Sequence, residues 1–366
     1  MSRSPSRRIL RGGLALATSV AVAASLSGCL SKSSEPSPDE GFTLQGKTVE
    51  ILVGQEAGGG HDTTARVIAR HIGEYLPGNP EVIVRNMPGG GDKVMANYAY
   101  TQAPSDGTSV GVFSVAVPHY NLIGEGEGDG VRYDASKFKW FGSPTVTTNV
   151  LLVHTRTGIT KDNLAPLTEG PGVRIAQRSP GDGPHLVQAT LASGLGWKFD
   201  TIFGYEGERR LAIERGEVDA IVTTWESLAD EERDLIDEGV LVPVVTVGVP
   251  DAPALSAPEL NGVPTAADLF EKASPESQAL LEVILSRYGF ARSLGGPPGM
   301  SEEAVAAYRT AFDEMNADED YVKEAEPLYA VVPSDGATVA ERITKYVTAD
   351  PSVVAPVLTQ IETDSK

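Results

Sequence analysis

Thr48-Val49-Glu50-Ile51-Leu52-Val53-Gly54-Gln55-Glu56-Ala57-Gly58-Gly59-Gly60-His61-Asp62 is the stretch that decides the fold. Its first six residues are a β-rich run. A glycine loop follows. After it Ala65, Ile68, Ile72 and Tyr75 fall on one face of a helix that Asp62 is suited to cap. Pro77-Gly78-Asn79-Pro80 stops that helix, and Val82-Ile83-Val84 starts a second strand. Residues 95–100 read as helix, and Ser109-Val110-Gly111-Val112-Phe113 reads as a third strand after the turn Ser105-Asp106-Gly107. Strand, glycine loop, helix, strand is the grammar of a parallel sheet.

The grammar restarts further on. Residues 150–153 and 173–176 read as strands, and the loop Ser179-Pro180-Gly181-Asp182-Gly183 leads into a helix that begins near Pro184 and closes at Gly194. A charged helix over 206–215, strands over 218–222 and 241–247, and a Pro-rich connection over 250–264 follow. The C-terminal part reads as helices over 274–288, 301–316, 318–327 and 338–348. The expected architecture is α/β in two lobes with a cleft between them. Lobe 1 takes 45–148 and 250–366, and lobe 2 takes 149–249.

Composition narrows the function. The 366 residues carry 30 Lys+Arg and 50 Asp+Glu, a formal charge of −20. Such a chain is a poor partner for nucleic acid or anionic lipid. Residues 1–28 hold Arg3, Arg7, Arg8 and Arg11 and no acid, followed by an apolar stretch over 13–26. That is the form of a signal peptide. It ends Leu26-Ser27-Gly28-Cys29, and Cys29 is the only cysteine. Small residues before a lone cysteine at this place resemble a lipobox, so Cys29 is expected to be acylated and to hold the protein at a bilayer. Arg7-Arg8 leaves general and twin-arginine export both open. Residues 29–44 are expected to be a lipidated tether. Removing the four arginines leaves 26 basic against 50 acidic residues, a formal charge of −24. A protein of this kind is exported and surface-anchored.

Catalytic patterns are scarce. His61, His71, His119, His154 and His185 show no metal spacing, and no G-x-S-x-G elbow or phosphate-binding loop is present. No cofactor or metal is expected. The glycine loops are more telling. Gly58, Gly59 and Gly60 uncover backbone N–H groups at a helix start, a natural seat for a carboxylate. Gly181 and Gly183, with Ser179 and His185, offer the same from lobe 2, and Arg178 can offset Asp182. The candidate ligand-binding set is Ala57, Gly58, Gly59, Gly60, His61, Asp62, Ser114, Ala116, Arg178, Ser179, Gly181, Asp182, Gly183, His185, Tyr205, Thr224, Trp225 and Ser227. Backbone donors are expected to matter more than side chains, with Tyr205 or Trp225 as a stacking wall.

These residues together resemble the solute-binding proteins of tripartite tricarboxylate transporters, the Bug or TctC type. Gly58-Gly59-Gly60-His61-Asp62 is similar to that family's P-x-G-G-G-x-D segment, and Asn86-Met87-Pro88-Gly89-Gly90-Gly91 to N-[RK]-P-G-A-G-G. Ala103-Pro104-Ser105-Asp106-Gly107-Thr108 resembles A-x-P-D-G-Y-T, and Gly181-Asp182-Gly183-Pro184-His185-Leu186 resembles a shortened G-x-G-[ST]-x-x-H-L. Gly204-Tyr205-Glu206-Gly207, Gly216-Glu217-Val218-Asp219, Val263-Pro264-Thr265 and Pro297-Pro298-Gly299-Met300 continue the series in order. The resemblance implies a two-lobed periplasmic-binding-protein type II fold. It also implies a small organic di- or tricarboxylate in the cleft, and a membrane permease as partner. A monomer without enzymatic activity is expected. The rival readings are an exported hydrolase using His61 or His185, and a surface sensor or adhesin lipoprotein.

Overall fold

The computed structural model describes residues 41–366 apart from 125, 206, 207, 229 and 251, and for Glu127, Ser227, Asp230 and Glu231 the backbone alone. The expected signal peptide, Cys29 and the tether as far as residue 40 lie outside the described residues, as do Glu206 and Gly207. Leu44, expected at the end of the tether, is fully buried, and its amide bonds to the Pro77 carbonyl at 2.8 Å. The folded body therefore begins before residue 44.

Among the described residues eleven strands form two sheets. They are β1 Thr48–Val53, β2 Glu81–Asn86, β3 Ser109–Ser114, β4 Lys139–Ser143, β5 Asn149–His154 and β6 Val173–Gln177. The rest are β7 Phe199–Phe203, β8 Ala220–Thr224, β9 Leu241–Val247, β10 Arg292–Gly296 and β11 Ser334–Asp335. The first sheet has the order β11-β4-β10-β3-β1-β2, and the second β7-β6-β8-β5-β9. Each joins a parallel part to an antiparallel part. β1 runs parallel to β2 and β3, while β10 is antiparallel to β3 and β4. β6 runs parallel to β7 and β8, while β5 is antiparallel to β8 and β9.

The chain passes from the first sheet to the second between β4 and β5, and returns between β9 and β10. Both oxygens of Glu226 accept the Thr148 amide at 2.9 Å and so pin the first crossing to the end of β8. The final helix, Ala355–Asp364, makes a third crossing. It packs on the helix Gly183–Leu195 of the second sheet, where Ser193 Oγ donates to the Pro356 carbonyl at 3.2 Å. Assigning everything after residue 250 to lobe 1 misses this strap. One buried cluster runs from Leu52, Phe113 and Trp140 through Ile284, Phe290 and Tyr346 to Leu151 and Leu186, so the two sheets share a continuous core.

Two local readings differ from expectation. The helix expected to end at Gly194 runs on to Leu195, with Gly196 as its left-handed cap. Gly194 is glycine for a packing reason: a Cβ there would lie 2.1 Å from the Phe270 ring. Asp62 is not the cap of its helix. Gly60–Tyr75 is capped by Gly59, and Asp62 is the helix's third residue.

Candidate functional site

A cavity of about 460 Å³ lies between the two sheets. That volume is in the range of small-molecule sites. Of the candidate residues, Arg178, Asp182, Tyr205 and Thr224 line it. All four come from the second-sheet side, at the C-terminal ends of β6, β7 and β8 and the turns that follow. Open α/β sheets place ligands at this end. Gln177, Arg209, Thr223 and Arg292 complete the polar lining. None of these four is evident from the sequence pattern.

Arg292 is the one lining residue from the first sheet. It opens β10, opposite Ser114 of β3. Its Nη1 donates to Thr64 Oγ1 at 3.2 Å, and Thr64 in turn donates to the Gly60 carbonyl at 2.8 Å. Its guanidinium lies over the Tyr329 ring at 5.2 Å. Burial pulls its pKa down, and Tyr329 offsets this in part. Among the described residues no carboxylate pairs with it. The other two arginines of the wall are spoken for. Arg209 pairs with Glu232, which also accepts from Thr223 Oγ1 at 2.9 Å. Arg178 lies 3.4 Å from Asp182. One half-buried cation is thus left facing the cavity without a counter-charge, a costly arrangement that an anion would relieve.

The first glycine loop lies beside this arginine rather than in the wall. A Cβ on Gly60 would stand 3.5 Å from Arg292 Nη2. His61 Nδ1 donates to Gln55 Oε1, 3.1 Å away, and its pKa is lowered, first by burial and then by the charge of Arg292. Asp92 and the Ala291 carbonyl pull it the other way. His61 Nε2 is buried with no hydrogen bond of good geometry. Asp62 is 2% exposed and faces its own loop. Its Oδ2 accepts from the Gly58 amide at 2.8 Å and Arg66 Nε at 2.9 Å, and its Oδ1 from Asn86 at 3.0 Å. Ala57 and Gly58 are exposed, and Gly59 donates to the Glu56 carbonyl at 3.4 Å.

The second loop is also closed on itself. Asp182 caps its helix by accepting the His185 amide at 2.9 Å, and Gly181 donates to His185 Nδ1 at 2.9 Å. His185 is fully buried, with Nε2 3.0 Å from Asp364, so it is neither a ligand contact nor a free base. Ser179 and Gly183 flank the turn without lining the cavity. Ser114 is buried with Oγ accepting the Ala116 amide at 3.2 Å. Trp225 is 7% exposed and packs with Val150, Ile213 and Leu235, so it belongs to the core rather than a stacking wall. The backbone of Ser227 continues the turn after β8. The amides of Gly58, Gly59 and Gly181, expected to face the ligand, are thus bonded within the protein. The protein's own acceptors occupy them, and side chains line the cavity instead.

No protein-family model matches the chain, and no curated protein is recognisably similar to it by sequence. Solved structures are similar in fold. A TctC solute-binding protein from Polaromonas, without ligand, superposes with a TM-score of 0.68 at 17% identity, covering 85% of this chain and 99% of that one. MatC from Rhodopseudomonas palustris, solved with bound malate, gives 0.52 at 20% identity over 84% and 98%. A second R. palustris protein, solved with adipate, gives 0.52 at 17% over 86% and 97%. The chain has the two-lobed α/β fold of these proteins. No helix among the described residues is long and apolar enough to cross a membrane.

Proposed function

We propose that the protein is an exported solute receptor that captures a small carboxylated molecule between its lobes and delivers it to a membrane permease. One observation carries the reading. Arg292 reaches from the first sheet into a cavity otherwise walled by the second, with no carboxylate partner among the described residues. A guanidinium so placed binds a carboxylate in two parallel hydrogen bonds and ties both lobes to the ligand. Lobe closure around the ligand is the mechanism this arrangement serves. The proteins of similar fold solved with malate and adipate lend support, since both ligands are dicarboxylates. The role requires no chemical step, and His185, buried with both ring nitrogens bonded, gives a hydrolase no base.

The ligand set we assign is Arg292, Arg178, Gln177, Tyr205, Thr223 and Thr224, with Gly60 and His61 on the first-lobe rim. A signal peptide over 1–28 and acylation of Cys29 complete the picture of a monomeric lipoprotein held at the membrane face. Replacing Cys29 with serine is expected to release the protein into the soluble fraction. A thermal-shift screen of mono-, di- and tricarboxylates tests the receptor reading. A true ligand at a hundred times its Kd adds about 2.7 kcal/mol, a shift of roughly 5 °C for a chain of this size. The absence of a shift with every acid at millimolar concentration would sink the proposal.

A further inference from the structure

The cavity wall holds an acceptor whose orientation is dictated by a chain of hydrogen bonds. The chain starts at Gly181. Its amide can only donate, so His185 Nδ1, 2.9 Å away, must accept. The ring proton then sits on Nε2 and points at Asp364 Oδ2, 3.0 Å away. A carboxylate only accepts, so Gln188 must turn its NH₂ group toward the same oxygen, 3.2 Å away. The second Gln188 proton goes to Thr201 Oγ1 at 2.6 Å. Gln188 Oε1 therefore faces the other way and receives Gln177 Nε2 at 2.7 Å. Gln177 cannot flip without facing oxygen to oxygen. Its own Oε1 is left buried with no partner, on a residue that is 1% exposed and lines the cavity.

A second acceptor stands on the same wall. Asp182 Oδ2 is buried and makes no hydrogen bond of good geometry, while Arg178 offers it charge from 3.4 Å. A wall that holds a guanidinium without a counter-charge beside an amide oxygen without a partner is not complementary to a plain diacid. Such a ligand would satisfy Arg292 and leave Gln177 Oε1 desolvated and unpaired, which sites built this way reject.

We infer that the ligand is a carboxylate that also carries a hydroxyl or ammonium donor, with Arg292 holding the carboxylate and Gln177 Oε1 accepting from the donor. The inference rests on the carboxylate-receptor reading and narrows it. His185, Gln188 and Asp364 do not line the cavity. They are positioning residues that decide which end of Gln177 meets the ligand.

Titration calorimetry on the full protein with matched acids tests this. The sets are succinate, malate and aspartate, and glutarate, 2-hydroxyglutarate and glutamate. At least one donor-bearing member is expected to bind about tenfold or more tightly than its plain parent. The better of the hydroxyl and ammonium members identifies the donor. Gln177→Leu should erase the preference. Gln188→Leu, remote from the ligand, frees Gln177 to turn either end inward. It should cut the preference at least about threefold while the plain acid binds as well as before. Melting of the unliganded variants reports folding separately. Plain acids that bind as tightly as their donor-bearing partners to the wild type would overturn the inference and leave the receptor reading standing. A preference unchanged in Gln188→Leu would overturn the role of the chain behind Gln177. Binding of no acid at all would overturn the receptor reading and this inference with it.

Discussion

In the first glycine turn a buried aspartate at the helix's third position, Asp62, reaches back to the Gly58 amide and on to Arg66 and Asn86. In the second an aspartate at the cap, Asp182, reaches forward to the His185 amide. Both turns look from sequence like open anion seats, and both are closed by the protein's own acceptors, an aspartate among them in each. What differs is the side chain each delivers. The first turn presents Thr64 and seats Arg292. The second presents Gln177, Arg178 and Asp182 as cavity wall. A glycine-rich helix start is available to a ligand only if no nearby acid has taken its amides. The difference also separates roles: the first turn holds Arg292 in place from behind, and the second lends its own side chains to the cavity wall.

Asp62→Ala should break that comparison most forcefully. It strands three donors around a buried site and is expected to cost about 3 kcal/mol, against about 1 kcal/mol for Asp182→Ala, a plain cap. Urea unfolding of the two variants measures both, and equal losses would dissolve the contrast. The Asp62 anchor should also depend on pH. Burial alone would raise its pKa, but the bonds from Arg66, Gly58 and Asn86 outweigh burial and lower it. A lowered carboxyl pKa gives stability that is present above about pH 4 and lost as the pH falls through the folded-state value. The stability gap between wild type and Asp62→Asn should therefore narrow as unfolding is repeated at falling pH.

A smaller pair of effects sharpens the likeness of the turns. Gly58 and Gly181 have φ of 89° and 77°, and a Cβ at either would meet nothing within 4 Å. Gly58→Ala and Gly181→Ala should each cost about 1 kcal/mol, from backbone strain alone. A larger loss at either site in thermal unfolding would mean that its amide does more than close the turn. The smallest effect concerns His61. Burial and then Arg292 lower its pKa, so the folded state resists the proton that the unfolded state accepts. Stability should fall as pH drops below about 6.5. His61→Gln should flatten that slope in urea midpoints taken at successive pH values.

Much of the frame was legible in the sequence because it is written in local signals. The runs before Gly54 and Gly181, the periodic helices and their stops mark the parallel halves of both sheets. β10 was not legible. Arg292-Ser293-Leu294-Gly295-Gly296 has neither alternation nor β-branched residues. Its glycines answer to tertiary packing: a Cβ on Gly295 would stand 2.8 Å from the Trp140 ring, and one on Gly296 within 2.1 Å of Met300. With β10 unseen, Arg292 had no place beside Ser114 and no route to the cavity. Gln177 was hidden for another reason. It ends a strand whose pattern is plain, but its meaning depends on Gln188, Asp364 and His185, brought together by the final helix. The order of motifs carried the fold, and the exchange of backbone for side-chain recognition could be found only in three dimensions.

Arg292 is the test of that exchange. The acid that binds best in the carboxylate screen is to be titrated calorimetrically into the wild type and into Arg292→Gln, with unfolding midpoints measured alongside. Loss of a charge-assisted pair in a desolvated site should weaken binding by about 3 kcal/mol, roughly 100-fold, with the unfolding midpoint unchanged or raised. Affinity within about threefold of wild type would contradict the account and return recognition to the backbone of the two turns.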